Sequence, residues 1–159
     1  MSELSYDAAI EDLKGYCDSL TGHSGVNFSC LLEENGQIIV SSGEIEVDMI
    51  SLASLVAGSV GATGGIAGLL GEKSGFTTLF HEGSGQQLLI NILDNGSILV
   101  ILFDHSRTLG WVRFQVRKIQ DELSSKTKRL LDKYVSHTGS NNSASPFAEV
   151  ADEEIDALF

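Results

Sequence analysis

Basic residues and cysteines are both scarce in this chain of 159 residues. Ten lysines and arginines stand against 22 aspartates and glutamates, which gives a formal net charge of -12 at pH 7. Nucleic acid and anionic lipid are bound through clustered Lys and Arg, so this balance argues against both as partners. The two cysteines, Cys17 and Cys30, form no CxxC pair and have no metal-ligand spacing. We therefore expect two reduced, buried thiols rather than a disulfide or a zinc site.

The common catalytic signatures are missing as well. The sequence contains no GxSxG, no HExxH and no DxDxDG calcium loop, and its four histidines lie in four separate segments: His23, His81, His105 and His137. A site assembled only in three dimensions stays open, and His81, at the end of a predicted strand, is its first candidate. The opening residues contain no apolar run of the signal-peptide type. We expect a cytoplasmic protein with no metal and no cofactor.

Two Asn-Gly pairs predict two hairpins. Asn35-Gly36 and Asn95-Gly96 each separate two apolar, strand-like runs, which is typical of tight β-hairpin turns. The strands around the second pair are apolar almost throughout, which favours a place at the centre of a sheet. A fifth strand is expected at Phe76–Glu82.

Helices are predicted before, between and after these strands. Apolar residues recur at helical spacing from Tyr6 to Leu20, with Ser5 as the N-cap. A long amphipathic helix is expected from Arg107, and its solvated face holds eight of the ten basic residues, which lie between Arg107 and Lys133. The order α-β-β-α-β-β-β-α predicts an α+β sandwich in which helices cover one five-stranded antiparallel sheet.

The stretch from Met49 to Gly71, MISLASLVAGSVGATGGIAGLLG, has no charged residue and contains six glycines. A phosphate-binding loop requires Lys directly after Gly, but here Glu72 separates Gly71 from Lys73. A membrane-spanning helix would fit by length. Against it, the stretch has few Leu, Ile and Phe residues, and its flanks are acidic rather than basic. We therefore expect no membrane insertion.

On a helical wheel, with Asp48 as the N-cap, this stretch has two contrasting faces. Large residues gather on one face, which we expect to lie on the sheet: Leu52, Leu55, Val56, Ile66 and Leu70. Small residues gather on the opposite face: Ser51, Ser54, Gly58, Gly61, Ala62, Gly65 and Gly68. Each interior glycine weakens a helix by about 1 kcal/mol relative to alanine, and a face without side chains permits close approach of another backbone. We interpret it as a docking surface for another protein; tight packing within the same domain is the alternative.

The end of the chain has a pattern of its own. A polar stretch, SHTGSNNSAS, precedes Pro146, which suits the first turn of a helix. A helix this short is marginal by itself in water, so we expect it to order on a partner. Its contacts would be Phe147, Val150, Ile155, Leu158 and Phe159. A solubilising acidic tail is the alternative. The chain is thus divided into a domain (1–136), a flexible linker (137–145) and a partner-binding tail (146–159).

The element order and four segments resemble the Roadblock/LC7 family. The segments are SLASLVAGSVGATGGIAGLLGE, FHEG, ILFDHSRTLGWVR and SPFAEVADEEIDALF, and the last is similar to the tail of bacterial members that regulate a Ras-like GTPase. The resemblance implies a homodimer whose sheets join edge to edge and whose second helices lie side by side. Two protomers would bind one small GTPase and stimulate GTP hydrolysis, in the control of cell polarity or motility.

The resemblance also assigns roles to residues. Gly61 and Gly65 match the GTPase-facing positions of the second helix, and the tail matches a second GTPase contact that is linked to nucleotide exchange. The family accelerates hydrolysis without an arginine finger; Arg107 is the nearest candidate for one in this chain. Two other classes stay open, a dimeric scaffold that tethers a complex without affecting GTP turnover and a small-molecule sensor.

Overall fold

The computed structural model describes residues 3–138 of the chain, and the side chains of residues 5–133. The elements follow the predicted order: α1 (Glu3–Thr21), β1 (Val26–Leu32), β2 (Ile38–Gly43), α2 (Met49–Leu69), β3 (Thr78–Glu82), β4 (Gln87–Ile92), β5 (Ile98–Phe103) and α3 (Leu109–Thr138). The strands form one antiparallel sheet in the order β2-β1-β5-β4-β3. This confirms the predicted fold class.

Both Asn-Gly pairs form hairpin turns, as predicted. At the first turn the Gly36 N–H donates to the carbonyl of Glu33 at 2.9 Å, and the Glu33 N–H donates to that of Gln37 at 2.8 Å. The second turn, which contains Gly96, repeats this pattern with the same two lengths. Gly36 and Gly96 have φ values of 91° and 89°. A residue with a Cβ is strained in this left-handed conformation, so glycine fixes the turn type.

The two sides of the sheet are covered unequally. α1 and α3 pack on one side, around a core that includes Leu13, Leu99 and Leu123. α2 alone packs on the other side, against a core that includes Phe28 and Ile98. Strand β5 lies at the centre and is buried along almost its whole length, as its continuous apolar character predicted. Because no second helix of residues 3–138 lies beside α2 on that side, much of α2 is exposed.

Three element boundaries differ from the predictions. The chain is already helical at Glu3, so Ser5 lies within α1 and the prediction that it caps the helix was wrong. α3 begins two residues later than expected because Thr108 caps it: the Thr108 hydroxyl accepts a hydrogen bond from the Trp111 N–H at 3.1 Å. β3 begins at Thr78, also two residues later than expected.

Both cysteines are buried free thiols, as predicted. Cys17 belongs to the core beneath α1 and α3, whereas Cys30 belongs to the core beneath α2. Burial raises the pKa of Cys17 to about 11 and that of Cys30 to about 12. Both thiols therefore stay protonated near neutral pH and are poor nucleophiles.

Candidate functional site: the outer face of helix α2

Helix α2 is fixed at both ends by its own sequence. At its start the Asp48 carboxylate accepts a hydrogen bond from the Ile50 N–H at 3.1 Å, which confirms the predicted N-cap. At its end Gly71 has a φ of 73°, and the Glu72 N–H donates to the carbonyl of Ala67 at 2.9 Å. This is the hydrogen bond of a Schellman motif, which needs a left-handed residue such as glycine. The caps stabilise a helix that its interior glycines weaken.

The side of α2 that lies on the sheet was predicted wrongly. The helix buries mainly small residues there: Ala53, Val56, Ala57 and Ala67. Of the five large residues expected on the sheet, two do pack there, Leu52 and Val56, and three are exposed, Leu55 (70%), Ile66 (52%) and Leu70 (70%). The physical reason is that the sheet supplies the bulky groups of this core, including Phe28 and Ile98. Small residues on the helix let the two surfaces interlock at close range.

The predicted stripe of small residues is on the exposed side, and large apolar residues border it. We call this surface the outer face; its members are Ser54, Leu55, Gly58, Gly61, Ala62, Gly65, Ile66, Gly68 and Leu69. All are exposed except Gly58, which is half-buried. Leu69 is 90% exposed. An exposed apolar patch of this kind marks an interaction site more often than a solvated surface.

Three of the four glycines of the outer face are not required by packing within the domain. A Cβ added at Gly61, Gly65 or Gly68 would meet no heavy atom of the described residues within 4 Å. By contrast, a Cβ at Gly36 would come within 3.2 Å of the Ala57 Cβ, so that glycine is needed where a hairpin turn approaches α2. Intramolecular packing, the alternative for the stripe, therefore does not account for the three glycines.

α2 also meets, by length and composition, the criterion for a helix that could cross a membrane. The same criterion is met by core helices of soluble proteins, and one side of α2 packs on the sheet of its own domain. Its N-cap is the acidic residue Asp48, and the acidic Glu72 follows its end. The expectation of a docking helix is consistent with these features.

Arg107, the candidate for an arginine finger, is held in a structural arrangement. Its Nε donates to the carbonyl of Ser24 at 2.8 Å, and its guanidinium lies 4.1 Å from the centre of the Trp111 ring. The ring of His23 contacts the same Trp111 edge-on, with centroids 5.0 Å apart. Arg107 thus joins the α1–β1 loop to the start of α3, rather than extending from a loop toward a partner.

Replacing Arg107 with Ala should therefore affect stability rather than function. Loss of the cation–π contact and of the hydrogen bond should lower the free energy of unfolding by about 1–2 kcal/mol, measured by urea denaturation. Arg117→Ala is the matched control, because Arg117 is exposed and should cost less than ~0.5 kcal/mol. A variant Arg107→Ala that unfolds like the wild type would contradict this role.

The three histidines with described side chains, His23, His81 and His105, belong to no metal-binding cluster of the described residues. His81 is exposed on β3 opposite Leu88, and His105 Nε2 lies 2.9 Å from the carbonyl oxygen of Gly83. Within the part of the chain that the structure describes, no three His, Cys, Asp or Glu side chains are arranged to hold a metal ion. The side chain of His137 and the predicted tail contacts (Phe147, Val150, Ile155, Leu158 and Phe159) lie outside the described side chains.

In addition to the outer face of α2, the free edge of the sheet is a second exposed feature. β3 ends the sheet on one side, so the backbone groups along its outer edge have no strand partner within residues 3–138. The opposite end strand, β2, is tied to α1, where the hydroxyls of Thr21 and Ser42 lie 2.6 Å apart. An open strand edge can pair with another chain.

Comparison with known proteins agrees with this architecture. The model of the Roadblock/LC7 domain matches residues 14–103. The solved structure of Myxococcus xanthus MglB is 38% identical, with a TM-score of 0.70, over 76% of this chain and 91% of that one. The gliding protein MglB from Thermus thermophilus is 23% identical, with a TM-score of 0.68, over 77% and 93% of the two chains. A Roadblock/LC7 domain from Streptomyces avermitilis is 13% identical, with a TM-score of 0.63, over 75% and 97%. Comparison with curated protein sequences gives no match.

The region matched by the domain model begins within α1 and ends with the last residue of β5. It therefore contains the whole sheet, α2 and the outer face. At 38% identity, the M. xanthus protein extends the similarity over most of this chain. The chain belongs to the Roadblock/LC7 domain family.

Proposed function

We propose that this protein regulates a bacterial Ras-like small GTPase of the MglA type, and that it accelerates GTP hydrolysis as a homodimer. One observation carries the proposal above all others. A chain 38% identical to M. xanthus MglB leaves an uncharged, glycine-rich face of α2 exposed, and packing inside its own domain does not require Gly61, Gly65 or Gly68. The setting we propose is the cytoplasm, at a cell pole, in the control of polarity or motility.

Two exposed surfaces suit the two kinds of contact that this function needs. The open edge of β3 can pair with the same edge of a second copy, which extends one sheet across the dimer. This pairing brings the two α2 helices to the same side of the joined sheet, where their outer faces form one surface. One GTPase binds that surface asymmetrically, so two protomers serve one GTPase.

The mechanism uses conformational selection rather than a catalytic side chain of this protein. GTP hydrolysis by a small GTPase is slow until the attacking water and the charge on the transferred phosphate are correctly placed. A partner that binds this arrangement more tightly than the resting one raises its population by the ratio of the two affinities. Arg107 is engaged with Ser24 and Trp111, so the protein supplies no arginine finger from that position.

GTP turnover by the cognate GTPase, with and without an excess of this protein, tests the proposal. Acceleration is expected, together with tighter binding to the GTP-bound than to the GDP-bound GTPase. Nucleotide-independent binding without acceleration would contradict an activating role and favour a tethering scaffold of the same fold. A small molecule that copurifies with the protein and controls partner binding would instead favour a sensor.

Deleting the tail should weaken the complex without unfolding the domain. A variant that ends at Ala144 lacks all five apolar tail contacts, so its Kd for the GTPase should rise about tenfold or more, equivalent to ~1.4 kcal/mol. Titration calorimetry measures the Kd, and circular dichroism checks the fold. A matched variant, in which the five tail acids are replaced by Gln or Asn, separates apolar contacts from charge. Unchanged affinity in the truncated protein would make the tail a solubilising segment.

A further inference from the structure

A groove on the opposite side of the sheet from α2 has no role in the proposed function. It lies between the N-terminal half of α1 and the C-terminal half of α3 and has a volume of about 210 Å³. Its floor is apolar, formed by Ala9, Leu13 and Leu130. Leu13 and Leu130 belong to the core, with 1% and 4% of their surface exposed. These two floor residues are therefore already covered by their own domain, and the accessible part of the groove is mainly its rim.

The rim of the groove is predominantly basic, in a chain of net charge -12. Lys126 lines it and is paired with Asp12 at 2.8 Å and with Glu122 at 3.4 Å, which raises the pKa of Lys126. One turn further along α3, Arg129 and then Lys133 line the same side of the groove. Arg129 makes no ion pair with any residue that the structure describes. Among the described residues, Asp12 is the one acidic residue that lines the groove.

The tail of this chain has the complementary chemistry. The last 22 residues of the chain, which include the tail, hold five acids and no Lys or Arg. The acids are interspersed with apolar residues such as Phe147, Ile155 and Leu158. A segment rich in carboxylates matches a groove with a cationic rim. Each ion pair formed at this exposed rim contributes little by itself, so docking depends on several carboxylates meeting the rim together and is sensitive to salt.

The groove is within reach of the tail. α3 ends at Thr138, and the rim residues 126–133 lie about 8–18 Å back from that point along the helix axis, at 1.5 Å per residue. The seven residues 139–145 span up to ~24 Å when extended. A chain that reverses after α3 therefore places residues 146–159 alongside the groove.

We propose that the tail, residues 146–159, docks in cis in the α1–α3 groove when no GTPase is bound. Its carboxylates face Arg129 and Lys133 on the rim of the groove. A GTPase that captures the tail must compete with this docked state, which lowers the apparent affinity of the tail by its undocked fraction. The docking involves this chain alone, so it is tested without a GTPase and independently of the proposed function.

The test uses the full chain with a nitroxide on Ala157→Cys. Cys17 and Cys30 are buried and protonated, so the maleimide label attaches to the introduced cysteine. We expect paramagnetic broadening of the backbone amide signals of residues 5–13 and 126–133, and weaker broadening at higher salt. Absence of broadening in these two segments would overturn the proposal.

Charge reversal then locates the site. Arg129→Glu/Lys133→Glu should abolish the broadening, whereas Arg113→Glu/Arg117→Glu should leave it unchanged. The control pair has the same spacing on the same exposed helix but lies outside this groove. Broadening that persists in the Arg129→Glu/Lys133→Glu variant would overturn the assignment to this groove. The remaining test mixes nitroxide-labelled chains with isotope-enriched chains that carry no nitroxide. Broadening seen only between different chains would place the tail on a second copy and overturn docking in cis.

Discussion

An arginine at Gly61 or Gly65 is expected to abolish the stimulation of GTP hydrolysis while leaving the protein folded. Both positions are exposed and helical, and a Cβ at either meets no heavy atom of the described residues within 4 Å. The start of the new side chain therefore meets no steric obstacle within its own domain. On the outer face, however, it introduces a charge into an uncharged surface and bulk into its glycine stripe, and it prevents close approach of a partner backbone. We expect GTP turnover to fall to the intrinsic rate of the GTPase.

Gly15→Arg is the matched control for this experiment. Gly15 is exposed in helix α1, on the other side of the sheet from α2, and also has open space around its Cα. This variant should stimulate hydrolysis like the wild type. Gly65→Gln retains bulk without charge and should still weaken stimulation. Sedimentation of each variant shows whether the homodimer persists. Loss of the dimer would assign the substituted position to the dimer contact, whereas loss of stimulation by an intact dimer would assign it to the GTPase contact. Full stimulation by Gly65→Arg would contradict the assignment of the outer face as a docking surface.

Replacing four of the five glycines of α2 with alanine is expected to stabilise the free protein substantially. Gly61, Gly64, Gly65 and Gly68 are all helical with open space around them, so an added methyl group strains nothing. Each Gly→Ala change gains up to about 1 kcal/mol of helix stability, and the four together should add ~3–4 kcal/mol to the free energy of unfolding. In a chain of this size the midpoint of thermal unfolding should rise by about 10 °C, measured at matched protein concentration.

The same series separates stability from docking. Gly64 and Gly65 are adjacent, so their positions differ by about 100° of rotation around the helix axis. Gly64 therefore lies outside the outer face. Gly64→Ala should gain stability and keep full stimulation, whereas Gly65→Ala should gain the same stability and lose part of its stimulation. If neither variant gains stability, α2 is not an ordinary helix in solution at these positions. If both lose stimulation equally, the boundary of the outer face is misplaced.

Features specified by local chemistry were predictable from the sequence. The two hairpins follow from Asn-Gly between apolar runs, and the start of α2 follows from Asp48. The grouping of small residues into one stripe of α2 also followed from the helical wheel. What these features share is that their determinants lie within a few residues of one another, so no knowledge of the rest of the fold is required.

The orientation of α2 on the sheet was not predictable in the same way. A wheel separates large from small residues, but the side that packs depends on what the opposing surface presents. Here Phe28 and Ile98 fill the interlayer space from the sheet, so Ala53 and Ala57 fit beneath the helix while Leu55 is exposed. The role of Arg107 likewise depended on a contact with Ser24, distant in sequence, that no local pattern indicates.

The order of strands also determines how the chain assembles. The hairpins β1–β2 and β4–β5 join neighbouring segments, but β1 and β5 pair at the centre of the sheet and bring Cys30 opposite Val100. Closing the long stretch of chain between β1 and β5 costs conformational entropy before any contact between the two strands compensates it. Pairings of this kind therefore form slowly. During synthesis β1 cannot pair fully with β5 until Phe103, the last residue of β5, has left the ribosome. The most deeply buried pair of strands is therefore the last part of the sheet to form, and until then its apolar edges are available to chaperones and to other nascent chains.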